Sequence, residues 1–116
     1  MAIRPVGKTH AFSVANTSHT AVTVGAEVSD YCNKAAFLNT GTTVIACRLK
    51  NMQPGSSDGA PAAIFPADGT PAEANIVLPA LMTQPIVFAV PECPFSITAI
   101  GSAAGPGIIY VTPCEE

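Results

Sequence analysis

Proline and glycine decide what this chain can become. Between residues 85 and 113 the sequence reads PIVFAVPECPFSITAIGSAAGPGIIYVTP. Three apolar runs, 86–90, 95–100 and 108–111, are each cut off by Pro or Gly after a few residues. None is long enough for a packed helix, and all are rich in β-branched and aromatic side chains, which sit well on a pleated surface. The pattern predicts consecutive strands. The small-residue stretch 101–106 between the last two predicts an antiparallel hairpin.

The same punctuation continues upstream. Alternation at 10–15 (Ala11, Ser13 and Ala15 against Phe12 and Val14) and again at 21–24 predicts two N-terminal strands. The segment 34–49, KAAFLNTGTTVIACRL, reads as a second hairpin turning at Asn39-Thr40-Gly41. Gly41 can supply the positive φ that short hairpin loops require. A three-residue loop with Gly41 as a bulge would pair Leu38 with Thr42 and group Phe37, Thr43, Ile45 and Cys47 on one face. A two-residue loop would shift the register by one.

Residues 51–75 hold Pro54, Pro61, Pro66 and Pro71, so their alanines cannot form a helix. This reads as a long loop with at most one short strand, 62–65. Residues 76–78 then lead through Pro79 and Leu81 into the terminal strands. The expectation is an all-β, single antiparallel β-sandwich or jelly-roll domain of about eight short strands over 10–116. A flexible N-terminal arm precedes it at 1–9, free or draped on a neighbour.

Composition bears on what such a domain could do. Charged residues make up 11% of 116 residues, there is no Trp, and the formal net charge is −3. Ordinary soluble domains carry about a quarter charged residues. One reading is an ordinary compact β domain; the sharper one is a subunit that hides much of its surface against partners. All five basic residues precede position 51, opposed there by Glu27 and Asp30 (+3); six acids and no base follow from Asp58 (−6). Either this split survives folding as complementary poles, or interleaved strands mix the charges. The acidic balance argues against nucleic acid as a partner. No apolar run approaches the ~18 residues of a membrane span. Arg4 and Pro5 arrive before an apolar signal region could form, so cytoplasmic synthesis is expected.

Chemical motifs are sparse. Cys32, Cys47, Cys93 and Cys114 lack the paired spacing of a zinc site, and His10 and His19 lie far from them. Buried reduced thiols are the default for a protein made in a cytoplasm. If the last hairpin pairs Ile100 with Gly107, Cys93 and Cys114 become neighbours able to cross-link. Cys32 and Cys47 fall on opposite faces and should not bond. The histidines lack the glycine framing of a nucleophile elbow. Asp58, Asp68 and Glu73 are spaced unlike a calcium loop, and residues 101–105 lack the Lys and helix of a phosphate cradle. The expectation is no enzyme, no cofactor and no metal.

Leu38-Asn39-Thr40-Gly41-Thr42 followed by Val44-Ile45-Ala46-Cys47-Arg48, with the apolar strand 86–91, then 95–101 and Ile109-Tyr110-Val111-Thr112-Pro113, resembles small proteins of tailed bacteriophages found near head genes. The resemblance spans 34–116 apart from the long loop; the four cysteines and the 51–75 segment depart from its pattern. It implies a β-sandwich or jelly roll carried on the virion as a capsid decoration or cement protein, with the major capsid protein as partner and a homo-oligomer or symmetric array on the particle. The alternatives are a tail, neck or head-fibre component, or a carbohydrate-binding β-sandwich. The last lacks the exposed Trp and Tyr that usually stack on sugars. On this reading the contacts come from the arm and the long loop, at Ile3, Arg4, Pro5, Lys8, Ile64 and Phe65, while the closing strands serve as scaffold.

Overall fold

The computed structural model describes residues 3–17, 20–25, 32–52, 59–67, 69, 71, 74, 76–91, 94–103 and 107–116. They form nine strands and no helix: β1 (Arg4–Pro5), β2 (His10–Val14), β3 (Val22–Val24), β4 (Lys34–Asn39), β5 (Ile45–Asn51), β6 (Ile76–Leu78), β7 (Ile86–Ala89), β8 (Phe95–Gly101) and β9 (Gly107–Glu115). One sheet runs β1-β9-β4-β7, with β2 also on β9; the other runs β3-β8-β5-β6. Every pairing is antiparallel. From β2 onward the chain alternates between sheets except at β5–β6. The two orders, β2-β9-β4-β7 and β3-β8-β5-β6, make a jelly-roll β-sandwich.

Neither expected hairpin forms. β4 pairs with β7 and β9, while β5 pairs with β6 and β8. Likewise β8 and β9 lie in opposite sheets. The chain therefore crosses from one layer to the other at 40–44, and again between β8 and β9. Phe37 and Ile45 do share the core, but they enter it from opposite sheets. The driving force is burial on two facing layers: Phe37, Ile109 and Val111 from one sheet meet Ile45, Leu78, Phe95 and Ile97 from the other, all fully buried. Each such side chain contributes about 1.5–3 kcal/mol on leaving water.

β9 is the longest strand, and its alternating burial, BiBiBiBBi, marks one face in the core. Pro113 sits inside it and has no N–H to give its neighbour. The ladder with the N-terminal strands breaks there: His10 pairs with Val111, and pairing resumes at Pro5 with Cys114. Pro113 keeps only an acceptor role, taking the Val6 N–H at 2.9 Å. Residues 4–9 are thus docked along β9 and not a flexible arm, and Val6 is fully buried in the core.

Part of the long loop docks on the domain. Residues 62–65 form no strand. Residues 60–63 lie over the outer face of the β8–β5 pair. The Ala60 N–H donates to Ser96 Oγ at 2.9 Å, and Thr98 Oγ1 donates to the Pro61 carbonyl at 2.7 Å. Arg48 Nη1 reaches the Ala62 carbonyl at 3.4 Å. This strap buries Ser96 and Thr98, which point away from the core. Gly59 permits the close approach, since a Cβ there would lie 2.6 Å from the Ala21 Cβ.

The expected Cys93–Cys114 neighbourhood rested on a β8–β9 ladder that does not exist. Cys93 lies outside the described residues, and Cys114 is a buried free thiol on β9, opposite Lys34 and Pro5. Cys47 is also free and buried, so Cys32 and Cys47 are not bonded to each other. Cys32 is disulfide-bonded, against the default of a reduced thiol.

Candidate functional site

Two strands end their sheets on the same side of the sandwich, β6 in one layer and β7 in the other. The sequence joining and including them, 76–91, reads IVLPALMTQPIVFAVP and carries no charged residue. Between the two edges opens a groove of about 490 Å³ lined by Leu49, Ile76, Val77, Phe88, Ala89 and Pro91. Its floor is apolar core: Phe88 packs edge-on against Phe37, with ring centroids 5.7 Å apart.

These two strands and the segment between them also expose apolar side chains. Val77 is 51% exposed, Leu81 66%, and Ile86 and Val87 about two-fifths exposed. Scattered single apolar side chains are ordinary on a protein surface, whereas a contiguous uncharged patch marks a contact site. Leu81 adds a second signal. It holds φ at 54°, a left-handed conformation that costs a side-chain-bearing residue about 1–2 kcal/mol. Its N–H donates to the Gly41 carbonyl and the Met82 N–H to the Asn39 carbonyl, both at 2.9 Å. Asn39 is itself fully buried, donating to the carbonyls of Thr43 and Pro79 and accepting from the Gly41 N–H. A buried polar knot around Asn39 thus fixes the backbone that presents Leu81 to solvent.

Hydrogen-bond phase defines the edge further. The Val90 N–H donates to the Asn33 carbonyl at 3.1 Å, so in the β4–β7 ladder Ile86, Phe88 and Val90 point their backbone groups at β4. Val87 and Ala89 therefore aim theirs outward. In β6 the corresponding outward residue is Val77, because β5 spends its even-numbered backbone groups on β8, as the Ser102 N–H to Val44 carbonyl bond fixes.

The residues expected to make contacts are dispersed. Arg4 Nε donates to Glu115 Oε1 at 2.6 Å, and Nη2 reaches the same oxygen. Ile3, Pro5 and Lys8 are exposed along the opposite, β1–β9 side of that sheet, while Ile64 is exposed and Phe65 half-buried on the strap. No single face gathers all six. Lys34 also pairs with Glu116 at 3.4 Å, so folding brings N-terminal cations to C-terminal acids and mixes the charge split of the sequence. The signal for the β6–β7 edge was the absence of charge over 76–91, which is visible in the sequence only once both strands are known to be edges.

Among the described residues no group of three or more His, Cys, Asp or Glu side chains could hold a metal ion. His10 lies half-buried on β2 opposite Val111, and His19 is outside the described residues. Burial pushes the Cys47 thiol up from 9.0 to about 12, the reverse of what a nucleophilic cysteine needs. The Cys114 thiol is raised by burial too, partly offset by a backbone hydrogen bond from Ala36. No helix among the described residues is long and apolar enough to cross a membrane. Comparison of the chain with protein-family profiles, curated proteins and solved structures found no match.

Proposed function

We propose that this protein is a virion structural protein, a capsid decoration or cement subunit that binds and bridges major capsid proteins. The observation that carries the reading is the uncharged 76–91 segment, which leaves Val77, in the lining of an apolar groove, and Leu81 exposed. Such a surface binds by shape and area, and repeated on a symmetric shell it gains avidity from many individually weak contacts. The jelly-roll order is one that viral capsid domains use, and the motif resemblance to phage head-region proteins points the same way. The disulfide at Cys32 fits a protein whose working environment is outside a reducing cytoplasm.

On this reading attachment runs through the β6–β7 edge, where the sequence alone pointed to the arm and the long loop. The test is quantitative proteomics of purified particles. The reading predicts a copy number comparable to that of the major shell protein. A ring-sized copy number would favour the tail, neck or head-fibre alternative instead, and absence from the particle would overturn both.

A further inference from the structure

We infer that β7 pairs with the β7 of a second copy of this chain, antiparallel and centred on Phe88. The inference goes beyond the virion reading and does not depend on it, because it concerns what the purified protein does alone.

Hydrogen-bond supply comes first. On the outer edge of β7 the outward backbone groups belong to Val87 and Ala89, and the next outward positions are Pro85 and Pro91. A two-fold axis through Phe88 sets Val87 against the other copy's Ala89, and each pair exchanges N–H to carbonyl bonds. The same axis sets Pro85 against the other copy's Pro91. Neither has an N–H, so the ladder ends there without a stranded donor. The edge is thus matched to its own copy in both length and phase.

Charge supports the same occupant. A surface that meets its own copy meets its own charges, and any cluster of one sign repels itself. Residues 76–91 carry none. The other side of this sheet, by contrast, carries Arg4, Lys8 and Glu115. Side chains then fall in register. Phe88 of each copy comes opposite the other across a closely spaced pair, and Ile86 comes opposite Val90, both favourable cross-strand contacts. The half-exposed side of Phe88 and the exposed Ile86 would be covered, and the two grooves would meet end to end. β6 offers no equivalent, since Val77 is the only outward residue of its three.

The occupant could be tested against its rivals with one substitution. Val87→Pro removes an outward N–H that β4 does not use, so the monomer keeps its ladder. Sedimentation velocity of the full chain over a micromolar concentration series should show wild type passing from monomer to dimer. The variant should weaken the dimer by more than about tenfold, with an unchanged far-UV spectrum. Backbone amide exchange provides a readout that needs no variant: Val87 and Ala89 of wild type should become protected as concentration rises. A monomer at every concentration would overturn the inference, as would an undiminished dimer of Val87→Pro. So would protection of Val87 and Ala89 that appears only on adding shell protein, which would give the edge to a strand from the capsid.

Discussion

The side-chain amide of Asn39 donates to the carbonyl of Pro79 at 3.0 Å, tying the end of β4 to the turn after β6. The same amide reaches the Thr43 carbonyl at 2.8 Å, and its Oδ1 accepts from the Gly41 N–H. One buried polar side chain therefore holds together the inter-sheet corner and the segment that displays Leu81. Asn39→Ala would leave two carbonyls and one N–H without these partners, at about 1–3 kcal/mol for each group that water cannot reach. A loss of about 3 kcal/mol in urea unfolding is expected, with Leu81 and Met82 losing amide protection first.

Leu81 should be replaceable at a gain. Its φ of 54° suits glycine, and its side chain is mostly in solvent. Leu81→Gly relieves about 1–2 kcal/mol of backbone strain and gives back part of that as unfolded-chain entropy. The net expectation is a stabilisation of about 0.5–1 kcal/mol in thermal or urea unfolding, together with weaker attachment to particles. Leu81→Ala keeps the strain and should show no such gain.

The strap depends on the missing side chain of Gly59. Gly59→Ala places a Cβ 2.6 Å from that of Ala21 and 3.2 Å from Ser96 Oγ, both too close. The strap must lift, loosening the Ala60–Ser96 and Pro61–Thr98 hydrogen bonds. Destabilisation of about 1–3 kcal/mol is expected, with faster amide exchange at Ala60 and unchanged exchange along β9.

Strand positions were largely legible in the sequence, because period-two alternation bounded by Pro and Gly needs only local information. Partners were not. Alternation says which face a residue takes and nothing about which strand lies beside it; Asn39-Thr40-Gly41 looks the same in a hairpin and in a corner between sheets. The burial of Ser96 and Thr98 could not be read locally either, because the strap that covers them arrives from a distant Pro-rich segment. The docked N-terminus was hidden for a related reason: Pro5 and Pro113 discourage a strand reading, yet the interruption at Pro113 is what lets Val6 turn into the core. The β6–β7 edge was invisible until both strands were known to terminate their sheets.

The thiols give a pH prediction. The Cys47 thiol is raised from 9.0 to about 12 in the fold by burial. The unfolded chain therefore releases this proton first as pH rises, and the folded state loses its advantage. Stability contributed by Cys47 is fully present below pH 9 and declines between about 9 and about 12. Thermal midpoints from pH 8 to 11 should fall less steeply for Cys47→Ala than for wild type. At neutral pH, alkylation of native protein should spare Cys47, and unfolding should expose it and Cys114.

The central claim is that the uncharged β6–β7 edge is the surface by which this subunit joins a larger particle. The most direct measurement is co-sedimentation with shells that lack the protein, comparing wild type with Val77→Lys/Leu81→Lys. Both side chains are exposed, so the double variant should fold with a thermal midpoint close to that of wild type. The account predicts saturable binding of wild type and at least a tenfold loss for the variant, roughly what two charges forced into an apolar contact would cost. Equal occupancy by both proteins, with binding lost only on changing Ile3 or Ile64, would contradict it and return the contact to the N-terminal segment and the strap.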